Sequence, residues 1–168
     1  AGGALLVFLY LGSERREAEV EIGGREAPEA GEPFTLPIVF RNTSSVNLEE
    51  ADLAIVFPEG ALVRDGSGSE RSLPRIVQRI GTLRPGEEGR REIMVRLFGR
   101  EGETQEIGAS LLYRPEGLRA RFSSQASRSF MIGRVPLSLF WEITEHVTPR
   151  RDVPITLRYS SQSRSRLD

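Results

Sequence analysis

The chain has 168 residues, and its 23 basic and 24 acidic side chains leave a formal net charge of −1 at pH 7. This balance excludes the broad basic surface of a general nucleic-acid-binding protein, so no nucleic-acid partner is expected. Cysteine is absent, which excludes disulfides, zinc–thiolate sites and thiol nucleophiles. All the basic residues are arginine, so lysine-dependent chemistry such as Schiff-base formation is excluded as well.

An apolar segment opens the sequence. Residues 1–12 carry no charge, and charged side chains begin at Glu14. A membrane-spanning helix needs about 20 apolar residues and a signal-peptide core about 7–15, so we interpret residues 1–17 as the end of a transmembrane anchor, cut short at its start, plus a juxtamembrane linker. The alternative is a first β-strand at residues 5–11, although this run lacks the apolar–polar alternation of a half-buried strand.

The region 18–133 shows the period-two alternation of β-strands and no sustained helical stripe. Turn clusters rich in Gly and Pro separate the alternating runs, which is typical of an immunoglobulin-like antiparallel β-sandwich. Pro37 lies inside one run and predicts that this strand is at a sheet edge or carries a bulge, because proline cannot donate to the ladder. The predicted strands cover residues 34–40, 53–57, 76–83, 93–97, 107–113 and 120–132.

Residues 134–168 repeat the start of this pattern. A shift of 119 residues superposes apolar positions of two strands and of the loop between them without a gap. We therefore predict that 134–168 form the N-terminal part of a second similar repeat; chance matching between alternating strands is the competing explanation. The superposed pairs are Val20 with Leu139, Ile22 with Trp141, Phe34 with Val153, Leu36 with Ile155, Ile38 with Leu157 and Phe40 with Tyr159.

Four segments carry a family resemblance. They are Ala-Gly-Glu-Pro-Phe at 30–34, Val-Phe-Arg-Asn-Thr at 39–43, Ala-Ile-Val-Phe-Pro-Glu-Gly at 54–60 and Arg-Ile-Gly-Thr-Leu-Arg-Pro-Gly-Glu at 79–87. Together they resemble the conserved-repeat and adhesion-module-like domains of bacterial surface proteins. This resemblance covers most of residues 28–133 and implies immunoglobulin-like sandwiches that occur in tandem on the cell surface, often after a single membrane anchor. Arg79 stands where the family usually has an aromatic residue. The motifs are structural and carry no catalytic residues.

Candidate metal and catalytic residues are weak. His146, the one histidine, lies near Glu142, Glu145 and Asp152, but a second histidine or a cysteine is missing, so we interpret it as a loop residue. Residues 65–70 offer oxygens to calcium without the spacing of a calcium loop, which favours a flexible loop. No Gly-x-Ser-x-Gly motif supports a serine hydrolase. We expect no catalytic, cofactor-binding or metal-binding residues.

Two further patterns admit structural interpretations. Asn42-Thr43-Ser44 is formally a glycosylation sequon, but it coincides with the family's turn asparagine, and we favour the turn. The neighbouring carboxylates Glu49 and Glu50 should point to opposite faces of a strand, so they are not expected to act on one substrate.

Several arginines could line one exposed sheet face and attract an anionic glycan or polymer. We favour the alternative, in which Glu87, Glu88 and Glu92 pair with them and the charges prevent edge-to-edge aggregation. Phe140 and Trp141 are interpreted as core residues rather than as a ligand platform. The arginines concerned are Arg90, Arg91, Arg96, Arg119 and Arg121.

The sequence thus favours a non-catalytic, membrane-anchored protein whose extracytoplasmic part is a row of β-sandwiches that act as spacer, adhesion or protein-interaction modules. Expected partners are the lipid bilayer, through the N-terminal apolar segment, and other surface proteins or glycans. The alternative is a soluble or secreted β-sandwich that binds carbohydrates or anionic polymers, as an accessory to an enzyme or alone.

Overall fold

The computed structural model describes residues 17–64 and 68–135, together with the backbone of 137–142 and 156–161. All regular structure in these ranges is β-strand. Residues 1–16 of the predicted anchor lie outside the described residues, and no helix within the described ranges is long and apolar enough to cross a bilayer. The strands are β1 (Ala18–Ile22), β2 (Phe34–Asn42), β3 (Leu48–Val56), β4 (Leu62–Arg64), β5 (Glu70–Ser72), β6 (Arg75–Leu83), β7 (Glu88–Arg96), β8 (Thr104–Pro115), β9 (Phe122–Met131), β10 (Leu137–Glu142) and β11 (Thr156–Ser161).

Strands β1 to β9 form two antiparallel sheets, in the orders β1-β2-β7-β4-β5 and β6-β3-β8-β9. The buried side chains of both sheets form one hydrophobic cluster between them, which confirms the predicted all-β sandwich. The five-stranded sheet contributes Leu36, Ile38, Phe40, Val63, Ile93 and Val95, and the four-stranded sheet contributes Leu53, Ile55, Ile107, Leu111, Tyr113 and Phe130.

The alternation in the sequence accounts for the two best-defined strands. In β2, Phe34, Leu36, Ile38 and Phe40 are buried, and the residues between them are more exposed. In β8 the odd-numbered positions from residue 107 to residue 115 are all buried. One face of each strand therefore supplies the core while the other faces outward.

The prediction that Pro37 marks an edge strand or a bulge is wrong. β2 lies between β1 and β7, and its register with β7 is continuous at the pair Pro37–Glu92. The Pro37 carbonyl accepts a hydrogen bond from the Gly23 amide (2.8 Å), so it points toward the β1 side of β2. The nitrogen of Pro37, which has no hydrogen, points to the same side, just beyond the last β1 pair, Ile22–Ile38. Proline is tolerated here because β1 pairing has already ended.

The chain enters and leaves the sandwich at opposite ends. At one end, Ala18 pairs with Asn42 at the end of β2, and the Thr43 amide donates to the Glu17 carbonyl (3.0 Å). At the other end, the segment after β9 is bonded to the loop that precedes β2, through the Gly133 amide and the Pro28 carbonyl (2.9 Å). The entry and exit points are thus separated along the long axis of the sandwich.

β10 and β11 form a two-stranded antiparallel sheet. Their register is the β1–β2 register moved by 119 residues, which is the shift that superposes the apolar pattern of the sequence. Beyond this pairing, a second sandwich stays a prediction. The corresponding partners are Val20–Phe40 and Leu139–Tyr159, and Ile22–Ile38 and Trp141–Leu157.

Candidate functional site

Asn42 connects the two sheets at the end where the chain enters. Its side chain is fully buried, and its Nδ2 donates to the carbonyls of Val46 (2.8 Å) and Leu83 (2.9 Å). Its Oδ1 accepts from the amide (2.9 Å) and the hydroxyl (2.7 Å) of Ser44. The amide nitrogen that a glycan would need is thus committed to hydrogen bonds in the folded chain, and Asn42 serves as the predicted turn residue.

The segment at the opposite end is also held by its backbone. The Ile132 amide donates to the Glu103 carbonyl (2.7 Å), and the Ala30 amide donates to the Arg134 carbonyl (3.1 Å). Gly133 lies close to this loop, because a Cβ there would be 3.3 Å from the carbonyl oxygens of Ala27 and Pro28, which is tighter than ordinary van der Waals contact. The chain is therefore fixed as far as Arg134, and β10 begins three residues later.

Arg96, the last residue of β7, ties this strand to β5 within the five-stranded sheet. Its Nε lies 2.9 Å from Glu70 Oε2, and its NH1 donates to the Gly31 carbonyl (2.9 Å). Arg64 makes a second salt bridge to Glu70 (3.2 Å). The hydrogen bond from Arg96 holds the pKa of Glu70 below its ordinary value, and Arg64 acts in the same direction. Of the predicted loop at 65–70, residues 65–67 lie outside the described part, and Glu70 itself belongs to β5.

A β-bulge in β3 creates a charged cluster on the four-stranded sheet. The register shifts around Ala51, and Glu50 adopts a positive φ of 51°, which is unfavourable for a side chain other than glycine. Arg114 consequently reaches both Glu49 (2.8 Å) and Glu50 (3.0 Å). The expectation that these two adjacent carboxylates would diverge fails, because the bulge interrupts the strict alternation.

The same bulge holds Arg121, whose guanidinium lies 3.3 Å from the Asp52 carboxylate and donates to the Glu50 carbonyl (3.1 Å). The hydrogen bond and the negative charge of Glu50 raise the pKa of Arg114, and Glu49 acts in the same direction. A shallow depression lies between Glu50, Asp52, Arg79 and Arg121. Its carboxylates face guanidinium groups, so the cluster fastens the bulge to β8 and to the segment before β9.

The candidate arginine face is divided between different surfaces. Arg90 lies on the outer face of the five-stranded sheet beside Glu92 (2.8 Å), whereas Arg91 turns inward, with its guanidinium 5.7 Å from the centre of the Phe40 ring. Arg121 pairs with Asp52 on the other sheet, and Arg119 is exposed in the turn before β9. The structure thus brings no single arginine-lined face together.

The remaining candidate residues are only partly described. His146, Glu145 and Asp152 lie outside the described residues, and the side chains of Glu142 and Trp141 do too. Within the described ranges, no group of three or more histidine or carboxylate side chains is placed to hold a metal ion.

No protein-family model matches the chain, and no curated protein matches it. Solved structures do. A variant of the Salmonella alpha-2-macroglobulin is similar with a TM-score of 0.54 and 13% identity, over 76% of this chain and 8% of that one. The major pilin subunit BcpA of Bacillus cereus is similar with a TM-score of 0.50 and 8% identity, over 87% of this chain and 56% of that one.

A CARDB domain from Pyrococcus furiosus, solved in complex with di-metal ions, has a TM-score of 0.45 and 12% identity, over 68% of this chain and 86% of that domain. At such identities the likeness concerns architecture. The chain spans little more than half of the pilin and a small part of the macroglobulin. The likeness to the macroglobulin and to the pilin supports an immunoglobulin-like β-sandwich, and function has to be argued from the surfaces described above.

Proposed function

We propose that this chain is a non-catalytic spacer and interaction module, in which β-sandwiches follow one another in tandem outside the cytoplasm, anchored to a membrane by residues 1–17. The observation that carries the proposal is that the chain enters the sandwich at Ala18 and leaves it at Gly133, at opposite ends. A module with this geometry extends an array along its own axis, whereas ends on the same side would fold the array back.

The length that each module adds follows from its strands. β9 has ten residues and β8 has twelve, and a strand rises about 3.3 Å per residue, so the strands span about 33 to 40 Å. The backbone bonds at Arg134 leave a short connection to β10. A row of such modules would hold a distal element at a distance proportional to the number of repeats.

The second repeat is supported by the shared register of β1–β2 and β10–β11. Register in a sheet is set by which side chains must face the core, since a slip of one residue turns every side chain to the other face. The same 119-residue shift in the apolar pattern and in the pairing is expected if residues 134–168 begin a second sandwich.

The absence of catalysis in this proposal rests on the surface chemistry of the described region. Its charged clusters are salt bridges that fasten strands to each other, as at Glu70 and Arg114. The alternative function, binding of an anionic polymer, receives less support, because Arg90, Arg96 and Arg121 face carboxylates of their own surfaces.

Small-angle X-ray scattering tests the spacer function. We would compare chains that carry one, two and three copies of residues 18–136. Each added copy should lengthen the maximum dimension by about 35–40 Å. An increase of about half that value would show side-by-side packing and would overturn the proposal.

Membrane anchoring is tested separately, by cell fractionation of the full chain and of a chain that lacks residues 1–17. The full chain should sediment with membranes, and external protease should cleave it on spheroplasts. Recovery of both chains in the same fraction would contradict the anchor and leave the spacer geometry untouched.

A further inference from the structure

One long sheet edge remains unpaired in the described part of the sandwich. β6 has nine residues and is the last strand of the four-stranded sheet. β1 and β9, the edge strands of the two sheets on the opposite side of the sandwich, lie against each other. There the Arg128 guanidinium donates to the carbonyls of Ile22 (3.0 Å) and Gly24 (3.1 Å). β5, the remaining edge, has only three residues. β6 is thus the edge with enough length to pair with another strand.

The side chains of β6 leave both faces of this edge partly uncovered. Ile76 and Ile80 pack against the core but are only partly buried, and Val77 is 56% exposed on the outer face. A strand added alongside would remove apolar surface from water on both sides. The positive φ of Gly81 and the β3 bulge interrupt the regular edge beyond Ile80, so residues 75–80 are the part available for pairing.

The charge of this edge determines the kind of strand that fits. Residues 71–86 contain four arginines and no acidic residue. Arg75 and Arg79 form no salt bridge with the described residues, although Arg79 pairs across the strands with Asp52, whose carboxylate bonds to Arg121. The outer face of β6 therefore presents positive charge at two positions four residues apart.

We propose that the edge of β6 at residues 75–80 binds an acidic peptide segment, which adds to the four-stranded sheet as a further strand. Main-chain hydrogen bonds supply the pairing, and the side chains supply selectivity. Carboxylates lie opposite Arg75 and Arg79, and apolar residues lie opposite Ile76 and Ile80 on the inner face. The ligand is thus an extended segment with two acids four residues apart and with apolar residues at the positions that face Ile76, Val77 and Ile80. This assignment rests on the proposed interaction role, and it is independent of the tandem array and of the anchor.

Fluorescence anisotropy of the full chain tests the proposal, with a labelled nine-residue peptide that carries glutamate at positions 3 and 7 and valine elsewhere as the probe. Binding should weaken as the salt concentration rises, because the charges are exposed. The double variant Arg75→Glu/Arg79→Glu should lose about tenfold in affinity, and a peptide with lysine in place of glutamate should bind that variant better than it binds the native chain. The matched control is Arg41→Glu/Arg100→Glu, which makes the same charge change on other surfaces and should leave affinity unchanged.

A peptide N-methylated at every residue separates strand addition from simple charge attraction, because it keeps the side chains and loses all of its main-chain hydrogen-bond donors. It should fail to bind, and the unmethylated peptide should protect from hydrogen exchange those amides of residues 75–80 that point away from β3. Absence of binding, equal binding by the N-methylated peptide, or equal effects of the two double variants would overturn the proposal. If the charge-reversed variant does not fold by circular dichroism, Arg75→Gln/Arg79→Gln replaces it. None of these results bears on the scattering experiment, so the two proposals fail separately.

Discussion

Replacement of Asn42 by alanine should strongly destabilise the sandwich. The variant removes four hydrogen bonds and leaves the Leu83 carbonyl without its partner in a buried position. Two bonds to Ser44 can be replaced by water and contribute about 1 kcal/mol together, while the carbonyls of Leu83 and Val46 cost about 2 kcal/mol more. We expect a loss of about 3 kcal/mol, or about 10 °C in Tm.

Urea unfolding of the full chain, followed by far-UV circular dichroism, measures this loss. The matched control is Asn47→Ala, because Asn47 makes one exposed bond, to Glu116 (2.8 Å), and its loss should cost less than about 0.5 kcal/mol. Asn42→Asp retains the acceptor oxygen but removes both donors and adds a buried charge, so it should destabilise at least as much as Asn42→Ala. A loss below about 1 kcal/mol for Asn42→Ala would refute the role of Asn42 as the link between the sheets.

Three other substitutions test local features of the structure. Glu70→Gln should lower the free energy of unfolding at pH 7, because it removes the carboxylate that Arg96 and Arg64 bind. The folded-state pKa of Glu70 lies below its ordinary value of 4.5, so the difference from the native chain should disappear as the pH falls through and below 4.5. A difference that persists at pH 2 to 3 would contradict the ion pair. Gly89→Ala should lower the free energy of unfolding by about 2 kcal/mol, because its Cβ would overlap the buried Phe40 ring. The control is Gly108→Ala, whose Cβ meets no atom within 4 Å and should leave stability unchanged or slightly raised. Equal effects in chemical unfolding would contradict the close packing of Gly89 against Phe40. Glu50→Gly should be more stable than Glu50→Ala by about 1 kcal/mol, because only glycine adopts the positive φ without strain, and the reverse order in thermal unfolding would exclude strain at the bulge.

The parts of the fold that follow from local pattern could be predicted from the sequence. β2 and β8 have apolar residues at every second position, and the turns at 58–60, 84–87 and 100–102 contain the glycines and prolines that reverse the chain. β4 and β5 have three residues each, too few for a period to be visible, and the sequence gives no signal for them.

Features that depend on neighbouring strands could not be predicted. Pro37 reads as an edge residue because the sequence does not show where β1 stops pairing. The bulge at Glu50 results from the register of β3 against both β6 and β8, so the convergence of Glu49 and Glu50 on Arg114 has no local signature. Arg128 points inward on β9, where its guanidinium binds the carbonyls of Ile22 and Gly24 after β1 and lies over the Phe130 ring, and neither contact has a local signature.

The candidate interaction surface shows the same division. The arginines of residues 71–86 are visible in the sequence, but their importance depends on sheet order. β6 could equally have been a central strand, in which case Arg75 and Arg79 would have lain between two neighbours. The position of β6 as the free edge is a property of the topology.

The central claim is that a second sandwich continues the first along its axis, and one distance tests it most directly. The chain contains no cysteine, so the double variant Ser45→Cys/Arg164→Cys carries spin labels at these two positions alone. The two positions are related by the 119-residue shift. Pulsed electron–electron double resonance on the full chain should give one narrow distribution centred at about 40 Å, the length of one module plus its short connection. A distance below about 25 Å, or a broad distribution without a maximum, would contradict the head-to-tail array.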